Sequence, residues 1–436
     1  MKKNRFLKNM SWIFLGNIFR AIFAFALNIM TARWLSVNDF GLINYITSIV
    51  AFFSSISTLG MNGIITKNFA EDEENTSIYL STGIILRSCV ALVSIIGLQL
   101  FMRIFNNNEI KMLNILFFQS LGILFSAFDL FMFWFRYKYD AKFVVIVRFI
   151  AFGISLILKI ISLVCFESVI LYSVGISLET LVISSILFIE YKRRCSFKFV
   201  FSEKKAKKML KSSYPFIFSA ILVTIYGQTD RIMLKTMISN TSVANYSVAM
   251  TLAGVFSIIP VALIEAFQPE IMRYKVSNEI MYKKRLRQLY AITFWSSLIY
   301  CVFITLFSKL AIFILYGERY LGAVPVLSLV VWYSAFSYFG GINNLYLVAE
   351  NKTFWVQLLT FIGVVVNIGL NYNLIPKYDA VGAALASLLT QFIANFLILI
   401  IIPQLRENFY IMIQGILCKD IGLNEINNIK EYLKRR

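Results

Sequence analysis

The stretch PFIFSAILVTIYGQTDRIMLKTMISNTSVANYSVA (Pro215–Ala249) is apolar enough, as far as Ile238, to cross a bilayer, yet it carries Asp230, Arg231 and Lys235. Each ionised group near the bilayer centre costs about 2.5–3.5 kcal/mol on insertion scales. On a helix, Thr224, Gln228, Arg231 and Lys235 recur at i, i+4, i+7 and i+11 and form one polar stripe. Lys235 and Arg231 could snorkel to a nearby interface, but Gln228 and Asp230 cannot reach that far. The stripe therefore reads as a functional polar lining.

A similar signature occurs near the start of the chain. Asn28 to Arg33 spaces a polar group and a cation as Asp230 to Lys235 does. Each match is followed by an Asn-Tyr pair, Asn44-Tyr45 and Asn245-Tyr246, with the offset slipping by a single residue. An internal repeat of about half the chain follows. Of the 436 residues, 59% are hydrophobic and only 15% charged, so the chain is an integral membrane protein. The five cysteines (Cys89, Cys165, Cys195, Cys301, Cys418) have neither metal-ligand spacing nor a disulfide framework, and no metal or cofactor is expected. Histidine is absent, which removes the commonest proton shuttle and most catalytic dyads and triads. The net charge of +19 could suggest nucleic acid, but its distribution follows membrane topology, and no nucleic-acid partner is expected.

Hydropathy gives an all-α, polytopic protein of twelve segments: roughly 10–33, 40–63, 78–101, 112–136, 143–166, 168–190, 213–238, 243–270, 289–315, 323–349, 354–375 and 380–403. MKKNRFLKNM and the apolar run after it resemble a signal peptide. The run is too long for one, holds Arg20 and leads into further spans, so it is kept as segment 1. One set of tails and loops holds thirty Lys and Arg; the other holds only Arg103, Lys111, Arg319 and Lys377. The positive-inside rule then puts both termini in the cytoplasm. Six spans per half makes the halves parallel repeats: a six-helix lobe 1–190, a basic cytoplasmic linker 191–212 and a second six-helix lobe 213–403. The linker suits anionic lipid heads. The tail 404–436 contains FYIMIQGILC (409–418), too short to span and expected at the interface.

Charges recur inside the spans. Segment 1 aligns Asn17, Arg20, Ala24, Asn28 and Thr31, and segment 5 aligns Arg148, Ala151, Ser155, Lys159 and Ser162. Segment 3 offers Gly83, Arg87, Ala91 and Ser94, and segment 11 offers Thr360, Gly363, Asn367 and Asn371. Small residues on such faces also serve helix packing. The carboxylates are fewer: Asp129, Glu179, Asp230 and Glu265. They are candidate salt-bridge partners, and Asp129, Glu179 and Asp230 are also candidates for ion coupling. Cations are in surplus, and Arg in particular suits phosphate or diphosphate oxygens.

Asn367-x3-Asn371-x3-Ile375-Pro376-x-Tyr378-x-Ala380-x-Gly382-Ala383-Ala384 resembles the segment 11–12 signature of polysaccharide flippases. These are the Wzx-type translocases of lipid-linked oligosaccharide, including O-antigen, within the MATE-like multidrug/oligosaccharidyl-lipid/polysaccharide (MOP) exporter superfamily. Ala32-Arg33-Trp34-Leu35 with Phe40-Gly41, and Asp230-Arg231-x-Met233-Leu234 with Asn245-Tyr246-Ser247-Val248-Ala249, resemble the ends of its segments 1 and 7. There are departures: Asp379 stands where the family often has Gly, Ser36 replaces another Gly, and Phe128-Asp129-Leu130 replaces an expected Gln-Gly. The resemblance assigns segment 4 no role. It implies two six-helix lobes in a V around a hydrated cavity, working by alternating access in the bacterial cytoplasmic membrane. The implied substrate is a polyprenyl-diphosphate-linked oligosaccharide, and a polysaccharide polymerase and co-polymerase are implied partners. Arg20, Arg87, Arg148, Lys159, Arg231 and Lys235 would bind diphosphate, with Asn17, Asn28, Gln228, Asn367 and Asn371 as polar lining.

Two other functions compete. A MATE-type multidrug-cation antiporter shares the architecture but would be expected to have an acidic cavity. A membrane polymerase or ligase would need a sizeable external loop with reactive residues, and no external loop much exceeds the median loop length.

Overall fold

An apolar stretch in lipid has to satisfy its own backbone hydrogen bonds, and every regular element among the described residues is helical. The structure is a computed structural model. It describes the backbone of residues 2–105, 109–138, 140–195 and 199–418, with side chains from position 16 onward except at 17, 18 and 105. In order the helices are α1 (Lys2–Trp34), α2 (Val37–Ser57), α3 (Ile65–Glu71), α4 (Thr76–Phe105), α5 (Ile110–Ser126), α6 (Leu130–Tyr137), α7 (Ala141–Val164) and α8 (Val169–Arg194). Then come α9 (Glu203–Met237), α10 (Asn240–Gly254), α11 (Ile258–Ser277), α12 (Glu279–Tyr316), α13 (Ala323–Ala349), α14 (Thr353–Phe392), α15 (Ile398–Ile401) and α16 (Arg406–Ile416).

Tight 3-10 turns at Ala127–Asp129 and Val255–Ser257 join α5 to α6 and α10 to α11, so each pair acts as one spanning element. Among the described residues, 10 elements are long and apolar enough to cross a membrane. The last of them, Thr353–Ile401, is broken at Asp379 and supplies two crossings. With α1 ahead of them, the expected twelve segments are accounted for.

Some helices outrun their hydropathy. α12 begins at Glu279, well before the expected 289, because Asn278 caps it: its Oδ1 accepts from the Met281 N–H at 3.0 Å. Tyr282 and Leu286 then bury one face of this charged stretch. The basic segment is also largely helical, α8 continuing to Arg194 and α9 starting at Glu203.

The chain forms two compact units, Met1–Lys235 and Thr236–Arg436. In the first, Trp134 stands edge-on to Tyr191 at 4.8 Å within a core that also holds Met61, Tyr79 and Phe131. In the second, Tyr282, Tyr290, Phe339, Tyr346 and Met412 do the same work. The repeat read from the sequence has a local counterpart in each. Ser36 caps α2 through the Asp39 N–H at 3.1 Å, and Ser239 caps α10 through the Ser242 N–H at 3.2 Å. The repeated Tyr45 and Tyr246 are both buried. Ser36, a departure from the family pattern, thus has a capping task.

Asp379, another departure, has φ 54° and ψ −135°, backbone that glycine tolerates and other residues adopt at a cost of about 1–3 kcal/mol. Around this break the chain closes so tightly that a Cβ on Gly382 would lie 2.2 Å from the Leu374 carbonyl oxygen. Only glycine fits there. The expected interfacial segment 409–418 falls mostly in α16, whose buried face (Asn408, Ile411, Met412, Gly415) turns to α12. Residues 419–436 lie outside the described residues.

Candidate functional site

The small residues aligned on α1 and α7 pack those helices against α8. Thr31 Oγ1 donates to Tyr172 Oη at 3.1 Å, and Ser155 Oγ donates to the Gly175 carbonyl at 2.6 Å. Gly175 leaves room for Lys159, whose Cγ would lie 2.8 Å from a Cβ placed there. The stripes are packing faces, and the same faces hold cations.

Glu179 of α8 joins two of those cations. Arg20 Nη2 donates to its Oε1 at 2.6 Å, and Lys159 Nζ stands 3.9 Å from its Oε2. Lys159 is buried, whereas the Arg20 side chain keeps 42% of its surface exposed. Beside this triad, Arg20, Arg136 and Arg148 line one pocket, walled by Gly16, Val144, Val145, Phe149 and Phe152. Arg148 makes no ion pair among the described residues, and its buried Nε has no hydrogen-bond partner there. A guanidinium so placed has donors to spare.

Asp129, in the turn between α5 and α6, lies within electrostatic reach of Arg87, Arg136 and Arg148. Arg87 is 2% exposed and donates to Asn62 Oδ1 at 2.7 Å, while its Nε lacks a partner among the described residues. The first unit therefore gathers five cations (Arg20, Arg87, Arg136, Arg148, Lys159) around two carboxylates (Asp129, Glu179). Positive charge is left over.

Of the expected site residues, Arg20, Arg87, Arg148, Lys159, Asp129 and Glu179 come together here. Arg231 and Lys235 are not among the residues lining the pocket. Arg231 donates to Gln228 Oε1 on its own helix at 3.1 Å, and the neighbouring Asp230 is buried. Asn28 is half-buried on α1, and the Asn17 side chain lies outside the described residues. Asn367 and Asn371 are buried in the second unit, where Asn371 donates to Asn367 at 3.1 Å and Asn367 to Ser387 at 3.2 Å. Glu265 is exposed on α11.

Arg136, the last residue of the expected segment 112–136, was missed by sequence reasoning, which counted it only among the thirty cytoplasmic charges. Its spacing seven residues after Asp129, two helical turns, was the available signal. A buried amide cluster in the second unit was also missed. There Tyr290 Oη donates to Asn343 Oδ1 at 2.7 Å and lies 3.1 Å from Asn408 Oδ1, and Asn343 reaches Asn395 at 3.3 Å. No sequence spacing announces it.

Twelve crossings, a twofold-repeated pattern and a cationic pocket in one half define a polytopic membrane protein with a transporter fold. The solved structure described as "Lipid II flippase MurJ, inward closed conformation" matches at TM-score 0.76 and 15% identity, over 97% of this chain and 95% of that one. An inward-facing multidrug resistance MATE family transporter of the MOP superfamily matches at TM-score 0.65 and 14% identity, over 91% and 96%. At these identities the likeness is one of fold. The chain belongs to the polysaccharide biosynthesis protein family, whose model matches residues 6–275 and so covers all five clustered cations. The capsular polysaccharide biosynthesis protein CapF of Staphylococcus aureus is 21% identical over 404 residues, 89% of this chain and 97% of that protein.

Proposed function

We propose that this protein flips a polyprenyl-diphosphate-linked oligosaccharide across the bacterial cytoplasmic membrane by alternating access, during synthesis of a surface polysaccharide. The observation that carries the reading is the pocket shared by Arg20, Arg136 and Arg148, in a chain of the polysaccharide biosynthesis family. Guanidinium forks match diphosphate oxygens. Arg148 and Lys159 sit eleven residues apart on α7, about 16 Å along the helix axis at 1.5 Å per residue. That is about half of the ~30 Å hydrocarbon core, so α7 sets one cation in the pocket and a second, buried beside Glu179, at another depth. The lipid tail stays in the bilayer, the sugars follow the diphosphate, and both termini face the cytoplasm. Gln228, Asn28 and Asn17 would meet sugar hydroxyls.

Deleting the gene in a strain with no second flippase should abolish the polysaccharide and accumulate its lipid-linked repeat unit on the cytoplasmic leaflet. The MATE-like fold favours a second reading, export of organic cations. Under that reading the deletion strain keeps its polysaccharide and becomes sensitive to cationic dyes, a result that would overturn the first.

A further inference from the structure

A second concave site lies between two other helices and shares no lining residue with the arginine pocket. α4 and α5 line an open groove, its apolar wall formed by Ile96, Leu100 and Phe117. These three are 59%, 55% and 45% exposed, so in the membrane they face lipid chains. Three polar side chains share the groove: Gln99 and Arg103 from α4, and Asn114 from α5. Neither Arg103 nor Asn114 makes a hydrogen bond or ion pair among the described residues, and both are exposed. Gln99 makes only a long 3.5 Å contact to the Leu113 carbonyl. Among the described residues, helix packing thus engages Gln99 weakly and the heads of Arg103 and Asn114 not at all. A cation and two amides turned toward lipid need polar partners from the lipid itself.

We propose that this groove binds one anionic glycerophospholipid, its phosphate on Arg103 and an acyl chain along Ile96, Leu100 and Phe117. Arg103 stands close to the end of α4, at headgroup level, and Gln99 lies one turn deeper, about 6 Å toward the bilayer centre. That separation suits a phosphate above and ester carbonyls below, which accept from the amide N–H groups of Gln99 and Asn114. A polyprenyl phosphate offers the phosphate without the ester carbonyls and would leave both amides unengaged.

Native mass spectrometry of the full chain, released from detergent with phosphatidylglycerol, its diether analogue or a polyprenyl phosphate, tests this without reference to transport. One phosphatidylglycerol should stay bound per chain, the diether should be retained more weakly, and R103Q should cut retention at least fivefold. N114L should show an intermediate loss, and R319Q, which removes a surface cation elsewhere, should change nothing. Equal retention by wild type and R103Q, or an equal fall in R319Q, would overturn the proposal. So would displacement of phosphatidylglycerol by equimolar polyprenyl phosphate, which would assign the groove to a prenyl lipid.

Discussion

Glu179 on α8 accepts a 2.6 Å hydrogen bond from Arg20 on α1 while Lys159 on α7 approaches its other oxygen at 3.9 Å. One carboxylate thus holds three helices and neutralises one of two cations. Replacing it by Gln leaves both cations unpaired. Removing one partner of a buried pair costs about 3–5 kcal/mol, and the partial exposure of Arg20 lowers this to about 2–3 kcal/mol. E179Q should therefore melt several degrees lower in detergent, and R20Q should lose less, because Lys159 keeps the carboxylate. The reverse ranking would mean that the pair does not hold the helices.

Arg148 and Arg136 offer a different kind of test, because neither makes an ion pair among the described residues while both line the pocket. R148A and R136A should reach normal membrane abundance and lose at least tenfold in flipping, about 1.4 kcal/mol or more of binding. R148K should recover little where the planar fork matters. Abundance falling in step with activity would assign these residues to packing.

Gly382 and Asp379 make opposite predictions within one turn. G382A sets a Cβ 2.2 Å from the Leu374 carbonyl oxygen, a backbone atom that cannot swing aside, and should cost at least about 3 kcal/mol and most of the folded protein. D379G relieves a residue at φ 54° and should gain about 1 kcal/mol, read as a higher melting temperature. A stable G382A would show that the turn is looser than described.

α16 is held partly by charge. Lys283 Nζ sits 2.7 Å from a Glu407 oxygen, and Tyr346 Oη donates to the other at 3.3 Å. The lysine's hydrogen bond keeps the Glu407 carboxyl below the ordinary glutamate value. A lowered folded-state value means that this stabilisation is complete above the unfolded glutamate pKa, about 4.3, and is lost as pH falls through the lower folded value. Spin labels on α16 and α12 should show a constant distance from pH 7 to 5 and broadening only below about pH 4. E407Q should broaden it at pH 7. A transition near pH 6 would point to another group.

The spans were legible because lipid admits little besides self-satisfied helices, and twenty apolar residues are hard to misread. The break at Asp379 was legible too, marked by Ile375-Pro376-x-Tyr378 and the glycine at 382. Arg20, Lys159 and Glu179 could be named as costly charges, yet which carboxylate met which cation depended on how α1, α7 and α8 pack. Arg136 was hidden by its position at the edge of a hydropathy window, where a pocket residue and a loop residue look alike. The Tyr290–Asn343–Asn395 cluster was hidden differently: a lone Asn in a span carries no cost large enough to stand out.

The bond between Arg20 and Glu179 spans 159 residues, and that distance has a consequence in time. At about 5–20 residues per second, roughly 8–30 s of synthesis separate the two side chains. Through that interval α1 holds a guanidinium whose acidic partner has not yet been made. The last two crossings have no such wait, since Gly382 and Leu374 meet across a reversal of a few residues and can close within the emerging hairpin. Chains truncated between α1 and α8 are thus the ones with an orphaned charge, and they should be cleared faster than chains truncated after Glu179.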